Sequence, residues 1–181
     1  MDRTLADDLR AGRPEALDRL LAEHGREIQA VAFLILRDPD EASDVLAETL
    51  VTAWQKVGSL RDPEALRPWL LRIATNRALS RRRTEARTVQ LHAVLEPVVD
   101  DPSAAIMVRT ALADAVRELP PRMRAAIALR YHADLSVAEV AAALGTSENT
   151  VKTQLRTALG RLCEALVERP PSTVLREVRH G

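Results

Sequence analysis

Cysteine occurs once in the 181 residues, at Cys163, which excludes an internal disulfide and a zinc site built on several thiolates. Aromatics make up only 2% of the chain (Phe33, Trp54, Trp69 and Tyr131), so a core has to be assembled from Leu, Val, Ile and Ala. Glycine is scarce too, at six residues, and an Ala- and Leu-rich composition of this kind favours helices over strands. The longest wholly apolar run, residues 30–36, falls far short of the ~20 residues a bilayer span requires. The first residues lack the basic, apolar and small-residue order of a secretory leader. What is present, 46% apolar and 29% charged residues, is a globular composition. The expectation is an all-α protein, soluble and cytoplasmic, with no membrane insertion.

The formal net charge is zero, from 26 basic and 26 acidic residues, but the sign changes along the chain. Residues 1–45 carry 6 basic against 11 acidic side chains, and residues 46–87 carry 9 against 4. The balance returns to acidic over 88–120 (2 against 5) and to basic over 121–169 (7 against 5). Nucleic-acid binding needs a local basic patch, so overall neutrality does not exclude it.

Punctuation divides the first half into helices. Gly12 and Pro14 open one, Gly25 is expected to interrupt it, and a second run continues through Leu36. Asp38-Pro39 stops that run, and Asp40 is expected to cap the next helix. Its apolar positions Ala42, Val45, Leu46, Leu50, Ala53, Trp54 and Val57 recur at helical spacing. Residues 58–63 read as a loop, Pro68 suits a first helical turn, and that helix is expected to end near Arg83. The pattern fails over 88–103, which reads as a flexible linker. Sixteen such residues span roughly 20–25 Å on average and about 50 Å when stretched, enough to hold two halves apart. Ser103 is expected to cap a helix to Leu119, and Pro120-Pro121 separates it from one ending near His132.

The most informative stretch is LSVAEVAAALGTSENTVKTQLRTALGRL, residues 135–162. Ser136 and Glu139 form a capping box, Gly145 provides a left-handed turn, and Ser147 caps the helix that follows. Val140 and Leu144 point inward from the first helix. Val151, Leu155, Ala158, Leu159 and Leu162 are expected to do so from the second. Asn149, Lys152, Thr153 and Arg156 share its opposite face, with side chains that suit base edges and phosphates in a major groove. An ordinary helical hairpin with a solvated polar face is the bland alternative. The cap, the turn, the apolar spacing and the polar face together favour a DNA-binding helix-turn-helix.

A second constellation is RPWLLRIATNRALSRRR, residues 67–83. Leu70, Ile73, Ala74 and Ala78 make its inward stripe. Trp69, Arg72, Asn76, Ser80 and Arg83 lie on another face, offering an aromatic to stack, an amide to read a base and cations for phosphate. Packing of Trp69 in a core, and Arg81-Arg82-Arg83 as a solvated helix end, are the alternatives. In the preceding acidic helix Asp44 and Glu48 stand four residues apart, with Gln55 further along, as either solvated surface or a docking stripe for a basic partner.

In this order the parts resemble an extracytoplasmic-function (ECF) sigma factor, a small two-domain member of the sigma-70 family of bacterial RNA polymerase. The likeness rests on DVLAETLVTAW, WLLRIATNRALSRRR and LPPRMRAAIALRYHADLSVAEVAAALGTSENTVKTQLRTALGRL, and spans residues 16–166. It implies two small helical domains, a region 2-like bundle over 1–87 and a region 4-like helix-turn-helix over 104–169, joined by a linker at 88–103 and followed by a short tail at 170–181. It also implies core RNA polymerase docking through Asp44, Glu48 and Gln55. Minus-ten promoter recognition and melting would fall to the face with Trp69, Arg72, Asn76, Ser80 and Arg83. Minus-thirty-five recognition would fall to Ser147, Asn149, Lys152, Thr153 and Arg156. Promoter DNA and core polymerase are the implied partners, with an anti-sigma factor as a candidate third. Ala47 stands where many relatives carry Gln, Leu50 where many carry Phe, and 58–63 lacks their aromatic.

No cofactor is implied and no catalysis is expected. His24, His92, His132 and His180 are scattered without metal-ligand spacing, and there is no phosphate loop or nucleophile elbow. A stand-alone helix-turn-helix regulator is the competing reading, and it predicts a dimer on a symmetric operator.

Overall fold

The computed structural model describes residues 2–88 and 104–168, and every described element is helical. The expected tail at 170–181, the cap at Ser103 and all of the expected linker except Thr88 lie outside the described residues. Helix α1 (Asp2–Arg10) has no counterpart in the sequence reading. It buries Leu5, Ala6 and Leu9, and Arg10 ties it to the Leu60 carbonyl at 2.5 Å. Helix α2 (Glu15–Leu36) runs unbroken through Gly25, against expectation. That residue is buried, and a Cβ there would stand 2.8 Å from Leu21 Cδ1. Leu21 is an exposed side chain one turn earlier on the same helix and free to turn aside, so the glycine is simply carried within the helix at a propensity cost of about 1 kcal/mol.

Helix α3 (Pro39–Lys56) is capped by Asp38, not Asp40: the Asp38 carboxylate accepts from the backbone N–H of Asp40 and of Glu41, both at 2.9 Å. Pro39 occupies the first helical position, where its missing N–H costs nothing, and this places the cap one residue before it. The expected loop contains two short 3₁₀ turns, Val57–Ser59 and Pro63–Ala65. Helix α4 (Leu66–Thr88) continues a turn beyond Arg83.

Helix α5 (Ala104–Glu118) and α6 (Pro121–Ile127) flank the double proline, and α6 ends in a π turn, Ala128–His132. Helices α7 (Val137–Leu144) and α8 (Glu148–Glu168) complete the described residues. Val151, Leu155, Ala158 and Leu162 of α8 are buried as expected, but Leu159 is 40% exposed because it lies beyond the arc that α5 to α7 cover.

The two halves do not stand apart. Helices α2 and α4 pack directly on α6, the π turn and α7, and one apolar cluster runs from Leu5 through Leu70 to Val140 and Leu155. Buried positions on α4 (Leu66, Leu70, Leu71, Ala74, Ala78, Leu79) cover far more than one stripe, because α2 and α3 flank the helix in its own half and α7 meets it from the other. Arg67 bolts this seam. Its Nε and Nη2 hold the Glu27 carboxylate at 3.0 and 2.5 Å, and the same Nη2 donates to the Ala133 carbonyl at 2.5 Å. The linker's reach permits separation, but burial of these leucines, roughly 1.5–3 kcal/mol apiece relative to exposure, favours contact.

Candidate nucleic-acid interface

The helix-turn-helix is built by local chemistry. Glu139 Oε2 accepts from the Ser136 backbone N–H at 2.8 Å and from its hydroxyl at 2.6 Å, while Ser136 Oγ accepts the Glu139 N–H at 3.2 Å. These bonds, the hydroxyl's first, hold the Glu139 carboxyl below the usual glutamate range. Gly145 ends α7 at φ +62, and the Thr146 N–H returns to the Ala141 carbonyl at 3.0 Å. Ser147 then caps α8 by accepting the Thr150 N–H at 3.2 Å. The turn between α7 and α8 therefore has its backbone groups occupied, and Val151 anchors the second helix at 0% exposure. Asn149, Lys152, Thr153 and Arg156 are exposed together, with Ser147 at the head of their face. Lys152 stands 3.8 Å from Glu148, both well exposed, a pairing of little energy that leaves the ammonium available.

On α4, Arg72, Asn76, Ser80 and Arg83 are exposed at three- and four-residue steps. Trp69 is half-buried and packs against the core, so its ring supports the helix while one part remains open.

The acidic stripe of α3 is less free than the sequence implies. Glu48 is clasped by two arginines of α4: Arg77 bonds one carboxylate oxygen and Arg81 the other, the latter at 2.5 Å. Arg77 also donates to the Thr52 hydroxyl at 2.6 Å, and Arg81 reaches Glu41 at 3.1 Å and Asp44 at 3.3 Å. The hydrogen bond from Arg81, then that from Arg77, hold the Glu48 carboxyl below the usual range against the opposing effect of burial. The Arg81 guanidinium is correspondingly raised, chiefly by Glu48. Arg81 thus binds α3 rather than sitting as part of a solvated helix end. Asp44 remains mostly open, with 69% of its side chain exposed, and Gln55 is exposed further along the same helix. The structure brings Asp44 and Glu48 together with Arg77 and Arg81, but leaves Gln55 apart. Sequence reasoning missed Arg77. Its signal was an arginine pair four residues apart on α4, matching the carboxylate pair four apart on α3.

The clasp has a pH signature. A carboxyl depressed in the folded state stabilises above its unfolded pKa, near 4.3, and loses that contribution as pH falls through the folded value. Acid melts of wild type and Glu48→Gln should therefore converge. Wild type is expected to lose more thermal stability between neutral pH and about pH 3 than the variant, which has no charge to lose there. Parallel curves would show that the clasp carries no stability.

Among the described residues there is no group of His, Cys, Asp and Glu able to hold a metal, and no helix long and apolar enough to cross a membrane. Two exposed polar faces, one on α4 and one on α8, stand out among the described residues. Each lies within a segment that a family model matches. Sigma-70 region 2 matches residues 20–88, and sigma-70 region 4 matches residues 109–162. The ECF RNA polymerase sigma factor SigM of Mycobacterium tuberculosis is 35% identical over 159 residues, covering 86% of this chain and 80% of its own length. SigV of Bacillus subtilis is 29% identical over 147 residues, covering 77% and 84%. Among solved structures, CnrH in complex with the cytosolic domain of CnrY superposes with TM-score 0.69 at 27% identity, over 92% of this chain and 97% of that one. RpoE of Bartonella quintana, in complex with the anti-sigma factor NepR, superposes with TM-score 0.67 at 26% identity, over 82% and 95%. With both sigma-70 regions matched in order and an ECF relative 35% identical over most of both chains, the protein belongs to the extracytoplasmic-function sigma factors, non-enzymatic initiation factors of the sigma-70 family.

Proposed function

We propose that this sigma factor docks on core RNA polymerase through the α3 stripe, with Asp44 as the most exposed carboxylate of the clasp. It reads the minus-ten element with Arg72, Asn76, Ser80, Arg83 and the open part of Trp69. It reads the minus-thirty-five element with Asn149, Lys152, Thr153 and Arg156 behind the Ser147 cap. The functional units are those expected from the sequence, 1–87 and 104–169 with the linker 88–103 between them, and the site of action is the cytoplasm. The observation that carries the reading is that two separate polar faces, on α4 and α8, stay exposed on helices whose other sides are buried in the apolar clusters.

The seam adds a physical constraint. Elements centred near minus ten and minus thirty-five are about 25 base pairs apart, on the order of 85 Å of duplex at 3.4 Å per pair. In the described arrangement α4 packs on α7, which leads directly into α8, and packed helix axes lie only about 8–10 Å apart. One copy in this arrangement cannot span both elements. The closed packing is therefore an off-state, and the chain opens along the seam when polymerase fixes each reader on its element. Tethered readers of modest affinity gain by avidity once both engage, and lose it when closed. An anti-sigma factor, as RpoE of Bartonella quintana has in NepR, is the candidate partner for holding this state.

Run-off transcription with bacterial core polymerase and a promoter-fragment library tests the reading. Specific starts are expected from wild type, while the free chain shifts duplex promoter DNA only weakly at physiological salt. A core enzyme that neither binds the chain nor initiates would instead favour a stand-alone regulator, and tight duplex binding by the free chain would remove the off-state.

A further inference from the structure

Two arginines meet at the seam, and their donors fare differently. Arg67 of α4 places Nε and Nη2 on the Glu27 carboxylate and on the Ala133 carbonyl of the opposite half. Arg124 of α6 is 2% exposed, and its Nη1 donates to the Arg117 carbonyl at 2.9 Å. Its Nε and Nη2 are buried and reach no acceptor. Burial is the main cause that pushes this guanidinium down to about 10.

The cover over Arg124 comes from both halves. The Arg117 carbonyl that takes its Nη1 is also approached by Arg37, from the C-cap of α2, at 3.5 Å. Helix α6 packs on α8 within its own half, and on α2 and α4 across the seam. Met123 joins the small cluster with α8, whereas Ala125, Ala126 and Ala128 join the large one that crosses the seam. Arg124 stands one turn before Ala128, on that crossing side. Its bond to Arg117 lies within one half and survives opening. Nε and Nη2 meet water once α2 and α4 withdraw, so closing dehydrates two donors and returns no hydrogen bond for them. Burial of a guanidinium on those terms opposes closure, against the leucines and Arg67 that favour it.

We propose that Arg124 is a counterweight built into the seam: its half-satisfied guanidinium holds the closed arrangement near balance, so that polymerase can open the chain. The apparent affinity of a partner that needs the open chain scales with the open fraction, and a closed state left marginal keeps that fraction useful. An apolar side chain at this position would shut the halves more firmly. The consequence for transcription rests on the closed off-state proposed above; the effect of Arg124 on the seam does not.

Energy transfer between dyes on Cys163 of α8 and on Ala22→Cys of α2, both exposed positions, reads the open and closed populations of the full chain as core polymerase is titrated. Arg67→Ala, which removes the bonds to Glu27 and to the Ala133 carbonyl, should raise the open fraction several-fold. Arg124→Met keeps the length of the side chain without its charge and donors. It should lower the open-to-closed ratio about tenfold or more, in wild type and in the Arg67→Ala background alike. Run-off output at limiting core should fall with it and recover at saturating core. A purely structural role predicts the reverse, since loss of the Arg117 bond would loosen the seam. Arg124→Leu repeats the test with a second apolar side chain. An open fraction unchanged or raised in both variants overturns the proposal. A tighter seam with output at limiting core unchanged overturns the off-state and leaves the counterweight standing. A wild type that populates both states but neither binds core nor initiates overturns the functional reading alone.

Discussion

Asp44→Arg is expected to weaken binding to core polymerase by tenfold or more, on the order of 1.4 kcal/mol, with the melting temperature unchanged. The side chain is 69% exposed and its one bond to Arg81 is long, at 3.3 Å, so the fold has little to lose. Glu48→Arg is expected to behave differently. It would place a third cation against Arg77 and Arg81 and release both arginines of the clasp. With the Glu48 side chain 40% exposed, solvent screens much of that pairing, and the loss should be about 1–2 kcal/mol, read as a lower melting temperature. Core binding would fall as well, because the clasp holds the proposed docking stripe of α3 in place against α4. Competition binding to core enzyme, beside thermal melts, separates the two variants. If Asp44→Arg binds core as wild type does, the docking stripe lies elsewhere. A combined reversal would merge a docking defect with a folding defect, so the single changes are the informative ones.

The second large effect belongs to α8. Lys152→Ala/Arg156→Ala is expected to leave core binding and the melting temperature as in wild type. Both side chains are exposed, and Lys152 has only its 3.8 Å approach to Glu148. Transcription from promoters that depend on the upstream element should fall about 10- to 100-fold for each base that is no longer read, since reading one base is worth roughly 1–3 kcal/mol. If both cations bind phosphate instead, the salt dependence of promoter binding should flatten by about two in the log–log slope. Run-off assays on matched promoters with and without the upstream element distinguish these outcomes. Equal output from both promoters would dismiss α8 as the reader.

The helix-turn-helix was legible because its determinants are local. A capping box acts over three residues, Gly145 acts on its own φ, and the Ser147 cap acts on the next turn. Departures occur where a distant partner decides. Gly25 stays helical because α2 is packed along its length, and a propensity penalty of about 1 kcal/mol is small beside that burial. Helix α1 is short and polar on average, and only the pocket that receives Leu5 and Leu9 makes it a helix. Leu159 looks inward by spacing, yet no described element covers it.

Composition and periodicity by themselves determined an all-helical chain, its punctuation, and the two polar faces on α4 and α8, since a helix displays its face from its own repeat. Only the tertiary structure decided how the carboxylates are shared, with Glu48 bound to Arg77 and Arg81 while Asp44 stays open. It alone decided that the two halves close on each other through Arg67, and that Arg124 is buried there with its Nε and Nη2 lacking an acceptor. Those outcomes depend on which surfaces meet between segments far apart in the chain, and a repeat of about 3.6 residues carries no information about that distance.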